Sequence, residues 1–377
     1  MTEIQGSCDA RFEAVRKAMA NNFSSHDDVG ACVAVSIEGE MVVDLWGGHR
    51  DAAKTLPWEE DTIVNVYSST KTMAALCALV LADRGQLDFH EKVATYWPEF
   101  AQNGKEQVEV RHFMSHSAGL SGLDEPCGPP EVYDWDAVVN ALAKQAPWWE
   151  PGTASGYHAL TQGHLIGEVV RRITGVSIGE FFAKEIAGPL GADFHIGTDE
   201  AHFDRIGELI PPSTGPAVGA IGDSIAARSF RSPAIDATQS RTAEWRKAEI
   251  PAANGHGNAR SIVRVQTAVA NLGKAWGVDL MSEASARRIF EEQTNGTDLV
   301  LDVPLVFGLG YGLSNPEMPM GPNEHIAYWG GWGGSTVVVD QDARLCVSYV
   351  MNRMEGELLG DMRGFGILQA AYESLAG

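Results

Sequence analysis

This chain of 377 residues predicts an α/β protein of the α+β kind. One antiparallel sheet would be built from both chain termini and flanked by the first and last helices, with a mainly helical stretch inserted between them. Three observations point there. β-rich runs lie near both ends of the chain. The middle carries helical periodicity and irregular stretches rich in Pro and Gly. Between the first strands and that middle sits Thr72–Ala82, eleven residues without a charge, and a helix apolar on all sides is a buried helix. On this division residues 1–87 and 303–377 form the sheet part and 88–302 the insertion, with a functional site in the cleft between them.

The N-terminal segment lacks a basic start followed by an apolar stretch and predicts an amphipathic first helix. Ala31–Ile37 and Met41–Trp46, separated by Glu38-Gly39-Glu40, predict a hairpin. Thr62–Tyr67 is a short extended approach to the buried helix, which Arg84-Gly85 closes with a helix-stop pattern. Pro126, Pro129 and Pro130 mark a long irregular loop. Helices are expected at Asp136–Gln145, at His158–Ile173 with Gly175 as its cap, at Ala259–Leu272 and at Ser282–Glu292. Asp193–Asn258, rich in Pro, Gly and Ser, predicts loops and short helices. Ile326–Trp332, Ser335–Asp340 and Arg344–Met351 read as extended, and a helix over Glu357–Ser374 closes the chain.

Fifty acidic against 28 basic residues leave a formal net charge of −22. Such a field repels phosphate backbones and anionic lipid, which argues against nucleic-acid and membrane-surface roles. Cys8, Cys32, Cys77, Cys127 and Cys346 show no C-x-x-C spacing and are expected as free thiols in a reducing compartment. No uncharged window reaches transmembrane length. A cytoplasmic location is the expectation by elimination.

The chemistry concentrates in Tyr67-Ser68-Ser69-Thr70-Lys71. The three-residue spacing puts the Ser68 hydroxyl and the Lys71 amine on one face of a first helical turn. Lys71 lies one turn into a core element, where an unpaired ammonium is costly to desolvate. The positive end of the helix dipole adds to that pressure. Lys71 is thus pushed towards its neutral, proton-accepting form, and Ser68 with Lys71 reads as an activated nucleophile. The bland alternative is a Ser N-cap followed by a surface lysine; the uncharged run behind the pair favours catalysis.

Three further motifs follow in order: Arg111-His112-Phe113-Met114-Ser115-His116-Ser117-Ala118-Gly119-Leu120, Glu150-Pro151-Gly152 with Tyr157, and Trp329-Gly330-Gly331. Together with Ser68–Lys71 they resemble the β-lactamase- and penicillin-binding-protein-like serine hydrolases, and in particular the family VIII carboxylesterases, which share the class C β-lactamase fold. The likeness runs from about Gly30 to Asn352. It implies Ser68 as nucleophile, Lys71 as its base, and Tyr157 as the group exchanging protons with nucleophile and leaving group. It also implies an oxyanion hole from the backbone N–H groups of Ser68 and Trp332. A lysine beside the phenol is expected to lower the tyrosine's pKa. Trp329, Gly330 and Gly331 would meet the substrate, with Tyr133 and Leu123 on the loop Gly119–Tyr133. The two glycines would let a strand's backbone approach the acyl group. Two positions depart from the β-lactamase pattern. Ala159 stands where those enzymes carry an Asn, and Trp329 stands where their strand motif begins with Lys. A neutral aromatic in place of a cation argues for an uncharged ester and against a carboxylate-bearing substrate.

The resemblance therefore implies a serine carboxylesterase acting on small-molecule esters through an acyl-enzyme, with no cofactor and no metal. An acyltransferase on the same scaffold, a β-lactamase or amidase, and a non-catalytic binding protein are the alternatives. Gly175-Val176-Ser177-Ile178-Gly179 spells G-x-S-x-G, yet a helix precedes it where that motif needs a strand, so Ser177 is expected as an N-cap. His112 and His116 are four apart but lack an accompanying Glu pattern, and His116 is expected to order its loop. His158 is expected as a solvated histidine at a helix start, and His325 and His256 have no partner in prospect. Trp148, Trp149, Trp329, Trp332 and Tyr133 read either as an aromatic wall around the substrate or as ordinary core.

Overall fold

The structure is a computed structural model that describes residues 2–213 and 222–376. In chain order its main elements are β1 (Ile4–Cys8), α1 (Glu13–Ser25), β2 (Gly30–Ile37), β3 (Glu40–Gly48), α2 (Thr70–Asp83), α3 (Trp135–Lys144), α4 (Thr161–Thr174), α5 (Ile225–Arg231) and α6 (Ala259–Ala270). They continue with β4 (Thr294–Thr297), β5 (Pro304–Phe307), β6 (Gly312–Leu313), β7 (Ile326–Gly330), β8 (Thr336–Asp340), β9 (Leu345–Met351) and α7 (Met362–Ala376). The nine strands named form one sheet in the order β1-β3-β2-β9-β8-β7-β6-β5-β4, antiparallel at every junction. The join between the chain's two ends is β2 against β9, and both strands are buried almost throughout.

Helices cover both faces. Ser36 turns its hydroxyl to Thr267 of α6, 2.6 Å away, and Cys346 pairs with Ser36 across the ladder. Tyr349, three residues further along β9, points its hydroxyl at Asp28 beside Arg363 at the start of α7. Period-two alternation therefore puts α6 on one face and the α1–α7 pair on the other. Among the described residues no helix is long and apolar enough to cross a membrane.

The central hairpin, the strands near the C-terminus and the buried helix stand where the sequence predicts them. Other elements differ. Residues 4–8 are an edge strand, not the start of a helix; their side chains are mostly exposed, so backbone pairing with β3 holds them and no apolar pattern announces it. Strands β4 and β6 extend the sheet from a polar and a two-residue segment, and β5 from the short run Pro304–Phe307; none carries an alternation. The helix expected from Glu357 begins at Met362. The helix expected from His158 begins at Thr161, and the expected helix Ser282–Glu292 is two short turns, Glu283–Arg287 and Arg288–Phe290. Two elements from within 88–302, β4 and α6, belong to the sheet layer. Part of the expected loop region Asp193–Asn258, residues 214–221, lies outside the described residues.

The α1–α7 face is fastened by one buried guanidinium. Arg363 reaches Asp28 at 2.8 Å and Asp361 at 2.6 Å, and it donates to the carbonyls of Gly333 and Arg353. Removing it leaves two carboxylates in the interior without a cation. Arg363→Met is therefore expected to lower the free energy of unfolding by about 3–5 kcal/mol, read from urea denaturation.

Candidate active site

The site begins with a strained turn. α2 is rich in Ala and Leu, which favour helix, and every residue from Thr70 to Leu81 is buried. Gly85, with φ at +67°, ends it as the sequence predicts. Just ahead of it Tyr67 has φ +42°, an uncommon backbone state for a bulky residue. The surroundings hold it there: its ring centroid lies 5.2 Å from that of Trp332 and 6.2 Å from that of Trp245, and Thr70 donates its hydroxyl to the Tyr67 carbonyl. This turn presents Ser68 at the mouth of the helix.

Three side chains meet there. Lys71 Nζ lies 3.1 Å from Ser68 Oγ, and the Tyr157 hydroxyl donates to Ser68 Oγ at 2.5 Å. Lys71 is 2 % exposed and, among the described residues, forms no ion pair with a carboxylate. Burial therefore pushes its pKa well below the ordinary 10.5. Its other neighbours are the carbonyl oxygens of Ala159 at 2.7 Å and Ala252 at 2.9 Å. A neutral amine has two N–H groups and one lone pair. In that form the two carbonyls would take the N–H groups and the lone pair would face Ser68 Oγ.

The backbone around Ser68 is equally constrained. A Cβ on Gly331 would strike the Val66 carbonyl and the Ser335 hydroxyl and would crowd the Ser68 amide; one on Gly330 would strike the backbone at Leu359. Both glycines are thus required for close packing of protein backbone. Ser335 donates its hydroxyl to the Val66 carbonyl and accepts from Ser69 at 2.9 Å, stitching the loop between β7 and β8 to the start of α2. Among the described residues neither the Ser68 nor the Trp332 backbone N–H has a hydrogen-bond partner.

Tyr157 is also fully buried, with no helix to place it. Burial raises its pKa, and the Ser68 hydrogen bond only partly offsets that. The expected lowering by a neighbouring lysine does not prevail over burial: Lys71, whose own charged form burial disfavours, sits over the ring face, 4.7 Å from its centroid. The phenol is accordingly a proton donor at rest. Behind it Trp329 and His116 pack at centroid distances of 5.4 and 5.0 Å. His116 accepts the His158 backbone N–H, so it orders its loop as expected. His158 is not solvated. It is fully buried, its pKa is lowered to about 3, its Nε2 accepts the Leu120 N–H and its Nδ1 lies 2.6 Å from the Gly156 carbonyl. His112 takes the Glu109 N–H, apart from His116. Ser177 caps the helix Ile178–Phe182, as predicted, and His325 does have a partner, Asp342.

A cavity of about 250 Å³ opens onto Ser68, Tyr157 and Trp332. Its walls are apolar, with Leu160, Phe230, Pro233, Ile235 and Leu358, and among the described residues no charged one lines it. Trp332 is the one aromatic of the expected wall that lines it. Trp329 is buried behind Tyr157, Tyr133 packs edge-on to Trp245, Trp148 stacks under Arg228, and the Trp149 indole bonds the Ala154 carbonyl. Leu123 is core, and its N–H bonds the Ser232 carbonyl. Of the residues expected to meet substrate, Trp329, Gly330, Gly331, Tyr133 and Leu123 therefore all lie outside the cavity lining. The wall comes instead from α5 and the loop after it, whose sequence has no periodicity to mark it.

A sheet of this topology with a serine, a lysine and a tyrosine converging at the entry of a buried helix defines a serine hydrolase. A family model described as Beta-lactamase matches residues 13–372. The chain belongs to the β-lactamase family. It is 35% identical over 375 residues to Esterase/beta-lactamase LipL of Mycobacterium tuberculosis, covering 96% of this chain and 86% of that one. Among solved structures it resembles a family VIII carboxylesterase, with TM-score 0.94, 41% identity, and coverage of 99% of this chain and 100% of that one. It also resembles a penicillin-binding protein homolog from Caulobacter crescentus, with TM-score 0.93, 38% identity, and the same coverages of 99% and 100%.

The lowered pKa of Lys71 has a measurable sign. Between its lowered pKa and 10.5 the unfolded chain binds a proton at this lysine that the native protein does not. Stability from this residue therefore rises with pH across that window. Urea unfolding of wild type and Lys71→Met at several pH values should show their difference moving in favour of wild type as pH climbs from 7 towards 10; a difference independent of pH would mean that Lys71 is charged in the fold.

Proposed function

We propose that this protein is a serine carboxylesterase that hydrolyses small uncharged esters through an acyl-enzyme on Ser68. The observation that carries the reading is the Lys71 amine, held by two carbonyls with its lone pair free for the Ser68 proton. In the proposed sequence Ser68 Oγ attacks the ester carbonyl and its proton passes to Lys71. The Ser68 and Trp332 N–H groups take the oxyanion, for which they have no competing partner. Tyr157 protonates the departing alkoxide and is refilled from the Lys71 ammonium. Water then attacks the acyl-enzyme with the same groups acting in reverse, releasing the acid and restoring Ser68. Every proton is carried by a protein side chain.

The apolar, uncharged cavity supports an uncharged substrate, since nothing in it would pair with a carboxylate. The Ala159 side chain, which also lines it, has no group to bond a lactam's amide. The names of the relatives, an esterase/beta-lactamase and a family VIII carboxylesterase, agree with ester hydrolysis. The site would lie in the cleft between residues 1–87 with 303–377 and residues 88–302. Five unpaired cysteines support a cytoplasmic location.

Turnover of p-nitrophenyl acetate is expected to fall by on the order of 10⁴-fold or more in Ser68→Ala, while Ser177→Ala keeps wild-type turnover. Intact mass after a phosphonate ester probe should show one adduct that Ser68→Ala lacks. Full activity in Ser68→Ala, or nitrocefin turnover matching that of esters, would sink the assignment. Phe230 narrows the cavity, so Phe230→Ala should raise kcat/KM for p-nitrophenyl octanoate relative to the acetate.

A further inference from the structure

Tyr157 belongs to no helix or strand, yet its oxygen is held at 2.5 Å from Ser68 Oγ. What fixes the backbone beneath it is a second buried acid. Asp298 follows β4, is 1 % exposed, and spends one carboxylate oxygen on three backbone amides. Oδ1 accepts from Tyr157 N–H at 3.0 Å, Val300 N–H at 2.9 Å and Leu301 N–H at 3.0 Å. The neighbouring Leu299 N–H donates to the Ser155 carbonyl at 2.9 Å, so the loop after β4 grips the Tyr157 segment at two points. Oδ2 is buried without a partner, and among the described residues no cation pairs with this carboxylate. Burying a carboxyl group with one oxygen unpartnered carries a desolvation cost that the three bonds to the other oxygen must offset.

We propose that Asp298 is a positioning residue for the reaction: by gripping the Tyr157 backbone N–H it sets the reach of the phenol to Ser68 and to the departing alkoxide. This rests on the reading of Tyr157 as the leaving-group acid. Asp298 touches neither the cavity nor Ser68, so it acts only through Tyr157. The bond from Leu299 to Ser155 would keep the segment folded in its absence, but the phenol would lose its fixed distance.

The test exploits leaving groups. An alkoxide needs a proton donor to depart, whereas nitrophenolate leaves with little help. The 377-residue chain carrying Asp298→Ala, Asp298→Asn or Tyr157→Phe is assayed on the ethyl and p-nitrophenyl esters of one acid. Asp298→Ala should lower kcat on the ethyl ester by about tenfold to a hundredfold, with KM unchanged and a much smaller loss on the p-nitrophenyl ester. Asp298→Asn keeps an acceptor at the same reach and should hold the wild-type ratio between the two esters. Equal losses on both esters, or no loss, in Asp298→Ala would overturn the positioning role. Tyr157→Phe separates the two levels. Wild-type turnover of both esters there overturns the role of Tyr157 itself, whereas an ethyl-specific loss that Asp298→Ala does not share overturns only the inference about Asp298. If Asp298→Ala does not fold, Asp298→Glu, which keeps the carboxyl group but displaces the acceptor, carries the same comparison: the ethyl-specific loss supports the role and a wild-type ratio overturns it.

Discussion

A lysine without a counter-ion, one turn inside a helix buried on all sides, is the constraint around which this structure is arranged. Its amine has two ways to exist there: paired with an acid, or neutral with its hydrogens accepted. The absence of a paired acid among the described residues and the lowered pKa of Lys71 favour the second. The accepting carbonyls belong to Ala159, ahead of α4, and Ala252, ahead of α6, so two distant segments must be held against α2 at once. Much of the surrounding bonding does that. Val64 and Asn65 pair with Gly257 and His256, Val66 N–H donates to the Gly255 carbonyl, and the Asn65 side chain bonds the Ala253 carbonyl. The local purpose of these contacts is to keep an acceptor beside each amine hydrogen, and the chemical consequence is a basic lone pair facing a hydroxyl.

The sheet contributes through proximity. Trp332 comes near Ser68 because the loop after β7 lies against the Val66–Ser68 backbone, and side chains larger than hydrogen at Gly330 and Gly331 would hold the two apart. Behind that loop Arg363 holds the Gly333 carbonyl, which ties the position of Trp332 to the buried ion cluster on the far face of the sheet. The strain at Tyr67 is sustained by the same contacts, since Trp332 is one of the rings packed on it. Stability and site geometry are therefore not separable along this path from α7 to Ser68.

How much of this was legible in the sequence follows from the kind of signal each part leaves. The buried helix, the central hairpin and the strands β7–β9 were readable because burial on one or both faces writes a pattern into the side chains. Ser68 and Lys71 were readable because a charge interrupts an otherwise uncharged stretch at a defined spacing, and Tyr157 came from the family resemblance. β1 and β4 were not, because edge strands held by backbone bonds leave their side chains free to be polar. The cavity wall was misplaced for a related reason. Trp329 and Tyr133 have the chemistry of a binding wall, but aromatics serve equally well as core, and nothing local distinguishes the two. Phe230 and Ile235, which do line the cavity, sit in a stretch without periodicity. Asp298 left no mark, because a carboxylate that bonds only backbone amides has no partner residue to betray it.

Trp329 nonetheless matters to the chemistry proposed, although not through contact with substrate. It fills the space behind the Tyr157 ring with a neutral group, and together with the uncharged cavity lining this leaves Lys71, once protonated, as the cation nearest the phenol among the described residues. A proton moving from Ser68 to Lys71 and then to Tyr157 is then the only change of charge the pocket must accommodate until the oxyanion forms. A second ammonium behind the ring would stabilise phenolate and weaken the phenol as an acid. It would also hold the carboxylate that deacylation leaves behind. In a cavity that no charged side chain lines among the described residues, that product would gain more from water than from the protein, within a molecule whose net charge is already −22. On the proposed reading, the same neutrality that would select an uncharged ester would also favour expulsion of the acid made from it.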